Sequence, residues 1–314
     1  MLRQLLGIWG EYVEEHDETL DAAGLDAIEV NTRSGSIALR GADQGQVIVH
    51  AEKRIHGPSA EKAEAFAKEV TIHIDREGSR LQVRTQHPRP PLGYNVSVSY
   101  DITAPGGLDA DLHTSSGGIR VEAIEGAVKA ETASGGIRLQ GAACAADLHT
   151  SSGGIRAEGI AGAVRARTSS GGIEVQGGSG YAALHSGSGG VTAHIQRLEE
   201  SGEFSSHSGA IRVEIDESAA PIAVKGASGS ITLRIGHGVV PVEARTSSGS
   251  VHVALPVGFA GRLDASTNSG RVHCDLPLSG ASTTRKHVTG SIGEGGEALV
   301  KLHTSSGSVH VGTE

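Results

Sequence analysis

The sequence predicts an all-β chain: a parallel, β-helix-like β-solenoid with rungs of about 18–20 residues and a short helical insertion near the N-terminus. Three observations predict it. The first is a repeat. Glycines that follow a serine or close a Ser-Gly step, with Ile or Val two residues later, stand at Gly35, Gly117, Gly135, Gly153, Gly171, Gly189, Gly209, Gly229, Gly249, Gly270 and Gly307, and DLHTSSGGIR occurs verbatim at 111–120 and 147–156. The second is period-two alternation inside each unit. In AVKAETASGGIRL (127–139), Val128, Ala130 and Thr132 share one face and Lys129 and Glu131 the other, the pattern of a half-buried strand. The third is composition. Aromatics make up 3% of the 314 residues, too few to fill a thick core, while 37% hydrophobic residues are more than a disordered Gly-rich tract carries.

Each element follows in order. Residues 1–24 read as a helical capping segment, with Leu2, Leu5, Leu6, Trp9 and Val13 on one helical face. Residues 25–314 read as a single β-solenoid domain. It opens with an early unit, IEVNTRSGSIALRG followed by QVIVHAEKRI. A helix is expected over 59–70, with Ser59 as N-cap and Ala63, Phe66, Ala67 and Val70 at helical spacing. Strands TIHID and RLQVRTQ come next, then Pro-rich HPRPPLG and strand NVSVSYDITAP. Regular rungs start at about residue 110 and continue to the end. Thr289-Gly290-Ser291-Ile292 stands where the long interval from Gly270 to Gly307 calls for an extra rung.

Stacking would place equivalent residues in columns about 4.8 Å apart. The column two after glycine reads Ile119, Ile137, Ile155, Ile173, Val191, Ile211, Ile231, Val251, Val272 and Val309, without a charge, and so is core. The column six before glycine alternates in sign, Asp111, Lys129, Asp147 and Arg165, which favours one register. Glycine is expected at the turns for its access to positive φ, with serine bonding nearby backbone.

The segments EVNTRSGSIALRG, SAEKAEAFAKEV, TIHIDREGSRLQVRTQHP, NVSVSYDITAPGG, TSSGGIRVEAIEGAVKAETASGG and the closing GEALVKLHTSSGSVHVG together resemble the bacterial putative-adhesin family of unknown function, whose members consist largely of such repeats. The resemblance spans about residues 25–314. It implies a β-solenoid-like fold and little about function, and it brings no catalytic residues with it; the lack of catalytic motifs and the low aromatic content favour a non-catalytic structural or binding scaffold.

Composition narrows the functional classes. A net charge of −9 disfavours nucleic acid and anionic lipid. No run of about 18 apolar residues marks a transmembrane helix. The opening MLRQLLGIWGEYVEEHDE does not read as a secretory signal, so a cytoplasmic location is expected, with a surface or exported one left open by the family resemblance. Cys144 and Cys274 make no disulfide framework; six to seven rungs would separate them, with Cys274 inward and Cys144 accessible.

No nucleophile elbow or phosphate-binding loop stands in the sequence, and no cofactor is expected. Glu122 and Glu158 share an outward column two rungs apart and read as solvated surface, although an enzyme acting on polysaccharide is the alternative function. His113, His149 and His185 share a column in every second unit, too far apart for one ion. His252 and His273, both three after glycine in consecutive units, are the candidate metal pair, with His310 in the same column but set apart by the extra rung. The expected partner is a protein or surface ligand of unknown identity, and open solenoid ends offer a route to self-association.

Overall fold

The computed structural model describes residues 10–141 and 144–313. Among the described residues it is all-β, with one helix and many mostly parallel strands, and the chain divides into two compact units, residues 1–143 and 144–314.

In the first unit, two strand ladders carry the chain. One runs from Ile37–Ala42 to Ile119–Glu122 and Ile137–Gln140, with Ile37, Ile119 and Ile137 in register. The other runs from Ala27–Ser34 to Asp109–Ser116 and Val128–Thr132, with Ile28, Ala110 and Val128 in register. On the far side of each ladder the parallel coil gives way to antiparallel pairs. Arg80–Gln86 lies parallel to Ala27–Ser34 and antiparallel to Thr71–Glu77. Asn95–Pro105 lies parallel to Ile37–Ala42 and antiparallel to Gln46–Gly57.

The helix is Ala60–Ala67. Ser59 caps it, its Oγ accepting from the Lys62 N–H at 3.3 Å, and Ala63, Phe66 and Ala67 are buried. Buried Lys53 ties it in, donating to the Ala67 carbonyl at 3.3 Å and the Glu14 carboxylate at 2.9 Å.

The helical expectation for residues 1–24 is corrected where the structure describes it. Gly10–Asp21 is a strand, antiparallel to Gln46–Gly57 from Gly10 opposite Gly57 to Asp21 opposite Gln46. The open edge of Gln46–Gly57 offers a backbone partner along this whole length, and that pairing outweighs a weak helical periodicity. Val13, placed inward on the helical face, is exposed. Leu2, Leu5, Leu6 and Trp9 lie outside the described residues.

In the second unit the inward column runs Ile155, Ile173, Val191, Ile211, Ile231 and Val251, each pairing with the next and all buried. A second ladder runs through Ala145–Thr150, Ala163–Thr168, Ser179–Ser186, the end of Val191–Ser206, Ile222–Gly226 and Val242–Ser248. After Val251–Leu255 the spatial order leaves the chain order. Leu299–Ser306 lies between Val242–Ser248 and Gly261–Ser269, parallel to both. Val309–Thr313 likewise lies between Val251–Leu255 and Val272–Cys274. The last rung in sequence is therefore inserted ahead of its predecessor.

The expected rung at Thr289–Ile292 does not form. His287–Ile292 runs antiparallel to both Gly261–Ser269 and Leu278–Thr283. Only Thr284–Lys286 connects the last two strands, and a parallel crossover needs a dozen or more residues. Thr284 closes this turn, exchanging bonds of 3.0 Å with the His287 backbone.

The T-x-S-G signature has a structural cause. The hydroxyl three before the marked glycine is buried and bridges two rungs. Thr168 Oγ1 donates to the Gly153 carbonyl of the previous rung at 2.8 Å and accepts from the Gly171 N–H of its own turn at 3.1 Å. Ser186 and Ser206 repeat both bonds. Thr114, Thr132, Thr246, Thr304 and Thr267 make the inter-rung bond. The glycine is required by contact more than by φ: a Cβ on Gly171 would stand 1.9 Å from the Gly153 oxygen, and one on Gly135 1.8 Å from the Gly117 oxygen.

Candidate functional site

Outward positions are set by the same register. Lys129 meets Asp111 at 3.8 Å and Arg165 meets Asp147 at 3.6 Å, as the alternating column predicts. His113 sits between Asp111 and Glu131, at 2.6 and 3.2 Å. Arg167 lies between His149 and His185. Burial and then the Arg167 charge push the His185 imidazole below its ordinary pKa. His113 thus belongs to an ion-pair ladder, and His185 shares a hydrogen bond with the Ser205 hydroxyl at 2.7 Å. Glu122 pairs with Arg40 at 3.2 Å and Glu158 with Arg156 at 2.6 Å, so each acid is neutralised by an arginine beside it.

The cluster with the most chemistry is in the second unit, at the inserted rung. His252 and His273 are not neighbours: His310 pairs with both and lies between them. The adjacency expected from chain order fails because the strands Leu299–Ser306 and Val309–Thr313 fill the intervening slot. Ring centroids are 5.9 Å apart for His252 and His310 and 5.1 Å for His273 and His310.

Asp275, which the sequence reading passed over, completes the group. Its Oδ2 lies 2.6 Å from His310 Nε2 and its Oδ1 2.8 Å from His273 Nε2. Its own N–H donates to the Val311 carbonyl at 2.9 Å, which fixes its backbone against the inserted strand. The hydrogen bond from His310, reinforced by the charges of both rings, holds the Asp275 carboxyl below the usual carboxylate range. One ligand atom from each of His273, Asp275 and His310 lies within 4.8 Å of the other two. His252 stands on the opposite flank of His310, outside this triad.

A sequence signal for the arrangement existed. TSSGSVHV stands at 246–253 and again at 304–311, and these two copies are paired residue for residue at Thr246–Thr304, Val251–Val309 and His252–His310. Beside the triad, Cys274 is half-buried and its thiol is pushed up by that burial; Cys144 is exposed, and both thiols are free. Seven strand steps separate them along the ladder, roughly 34 Å at strand spacing, as the expected separation required.

In the first unit, an open pocket of about 350 Å³ is lined by His56, Gly93, Tyr94 and Asn95, with the Tyr94 ring 5.3 Å from Phe66. No helix among the described residues is long and apolar enough to cross a membrane.

No curated protein matches the chain. Among solved structures, one described as a putative adhesin from Parabacteroides merdae is 10% identical, with 95% of this chain and 96% of that chain covered and a TM-score of 0.42. One described as a putative lipid binding protein from Parabacteroides distasonis is 14% identical, with 95% and 96% covered and a TM-score of 0.40. A putative adhesin from Bacteroides fragilis is 12% identical, with 95% and 97% covered and a TM-score of 0.34. Likenesses this remote carry no functional argument. The family model does carry weight, because it spans most of the chain: Toastrack DUF4097 matches residues 25–240 and 222–312, in accord with the resemblance to putative adhesins carried by the repeats. The chain belongs to the Toastrack DUF4097 family.

Proposed function

We propose that this chain is a non-catalytic binding scaffold: a β-solenoid with rungs of about 18–20 residues whose outward faces present side chains to a protein or surface ligand. One observation carries the reading. Outward side chains stand in register from strand to strand, and many charged ones are tied to a neighbour on the next strand or on their own. Examples are Arg156 with Glu174 at 3.3 Å, Arg234 with Glu214 at 3.8 Å and His194 with Asp216 at 2.9 Å. Such a lattice is a stiff surface with a fixed pattern of charge, suited to recognition by complementarity.

Glu122 and Glu158, the acids that the polysaccharide alternative would have to use, are each engaged in an ion pair, with Arg40 and Arg156 respectively.

The test has two arms. The full chain, isolated from the native cell after fractionation, should carry a stoichiometric partner that is displaced when outward charges such as Arg156 and Arg234 are reversed. In parallel, the purified chain should release no reducing ends from polysaccharides. Release that is abolished in Glu122→Gln or Glu158→Gln would replace the scaffold with an enzyme.

A further inference from the structure

We propose that His273, Asp275 and His310 form a binding site for one divalent transition-metal ion of the zinc class, and that the ion clamps the inserted C-terminal strand to the edge strand Val272–Cys274. The inference rests on this cluster alone and holds whatever the scaffold binds.

The donor set fits. Imidazole nitrogen and carboxylate oxygen suit Zn²⁺, Ni²⁺ and Cu²⁺, whereas Ca²⁺ takes six to eight oxygens. Donors bound at about 2.0–2.1 Å around a tetrahedral centre lie roughly 3.3 Å apart. Here one carboxylate already reaches both Nε2 atoms, at 2.6 and 2.8 Å, so small rotations that part them from its oxygens would admit an ion. Both imidazoles present the same nitrogen to one point, and a metal would take the place of the protons now shared with Asp275. Side-chain exposures of 64% for His273, 51% for Asp275 and 43% for His310 leave an open side where water completes the coordination.

The positions are also held in advance. His310 is on a strand paired on both sides, and Asp275 is anchored to that strand through the Val311 carbonyl. The His310–Asp275 hydrogen bond already spans 35 residues of chain, and the ion would replace it with coordination that draws in His273 as well. The short strand stands to gain from it: Val272–Cys274 has three residues, its one ladder among the described residues is with Val309–Thr313, and a single further backbone bond runs from the Val272 N–H to the Arg285 carbonyl at 3.0 Å. Metal ligation is thereby coupled to the closing of this rung.

The experiment uses the full chain stripped with chelator and titrated with ZnCl₂ by calorimetry at neutral pH, with hydrogen exchange of residues 272–275 read alongside. Wild type should bind one ion at this site, with exchange at 272–275 slowed and the melting temperature raised. His310→Gln, His273→Gln and Asp275→Asn should each bind at least about tenfold more weakly, since even supporting groups around a metal are worth 10–100-fold. His194→Gln, at another exposed histidine with an aspartate partner, should bind as wild type does. Should His310→Gln fail to give a native circular dichroism spectrum, His273→Gln carries the test, because its side chain is the most exposed of the three.

The proposal is overturned if wild type shows no zinc-dependent slowing at 272–275, or if the three variants titrate like wild type. It is also overturned if binding survives Asp275→Asn and is lost in His252→Gln, which would put the ion between His252 and His310.

Discussion

Replacing Thr168 with valine tests the claim that the repeat's hydroxyl is a rung-to-rung fastener. Valine keeps the branched shape and the buried methyl, so packing is nearly unchanged. What goes is an oxygen that donates to Gly153 at 2.8 Å and accepts from Gly171 at 3.1 Å in a side chain 2% exposed. Each bond is worth about 0.5–1.5 kcal/mol net, and a buried backbone group left without a partner costs about 1–3 kcal/mol. Gly153 and Gly171 are only half-buried, so water replaces part of the lost oxygen, and the two lost bonds put the loss at about 1–3 kcal/mol. Urea unfolding followed by circular dichroism should show it as a lower midpoint at unchanged slope. Two comparisons make the measurement specific. Thr168→Ser keeps the oxygen, as Ser186 and Ser206 do naturally, and should lose only about 1 kcal/mol for the methyl. Thr192→Val makes the same exchange at an exposed strand position and should stay within about 0.5 kcal/mol. Equal midpoints for Thr168→Val and Thr192→Val would refute the fastener.

Three further outcomes are expected. Gly171→Ala should destabilise by about 1–3 kcal/mol or more, because its Cβ would meet the Gly153 oxygen at 1.9 Å, while Gly45→Ala, with nothing within 4 Å, should be neutral or slightly stabilising in the same urea assay. The His50 Nδ1–H donates to the Asp17 carboxylate at 2.5 Å, and that bond, then the Asp17 charge, raises the His50 pKa. A raised folded pKa means stability fully present below the unfolded value of about 6.5 and lost as pH rises through the folded one, so protection along Gly10–Asp21, corrected for the intrinsic base-catalysed exchange rate, should fall over that window, and Asp17→Asn should flatten the fall. Native thiol labelling should modify Cys144 fast and Cys274 slowly, since burial raises the Cys274 thiol and half covers it; equal rates would refute the assigned register.

Much of the fold was legible because a strand's period of two is strict. Ile119, Ile137 and the residues that follow them in the inward column could be read off without knowing the turns, and within each unit their pairing follows as expected. The role of glycine was only half legible. Left-handed φ is found at Gly35, Gly249 and Gly307, but not at Gly135 or Gly171, where the demand is for space against a carbonyl one rung away. A linear sequence shows that side chains are absent there; it does not show which backbone takes the room. The metal-ligand candidates were legible as a column and illegible as a set. His252 and His273 were paired by counting rungs in chain order, and counting fails once a strand pair is inserted. Asp275 was missed because it stands past the column, after a three-residue strand, and becomes a partner of His310 only through the insertion.

The insertion also bears on how each unit ends. A parallel coil that stopped in chain order would leave its last strand, and the chain terminus, as an open edge able to pair with other molecules. In the second unit the terminal strands Leu299–Ser306 and Val309–Thr313 instead have a neighbour on each side. The positions beyond them go to strands poorly suited to recruit another chain. Leu278–Thr283 is mostly exposed, small and polar and is folded back in a hairpin, and Val272–Cys274 is too short to template a ladder. The first unit uses charge. Gly10–Asp21 presents Glu11, Glu14, Glu15 and Asp17 along an exposed strand, and Thr71–Glu77 presents Asp75, Arg76 and Glu77. Antiparallel pairing is the common device: it reverses the chain through a short turn, ends the parallel repeat, and lets the outermost strand be chosen for solubility while the repeat's strands are chosen for core.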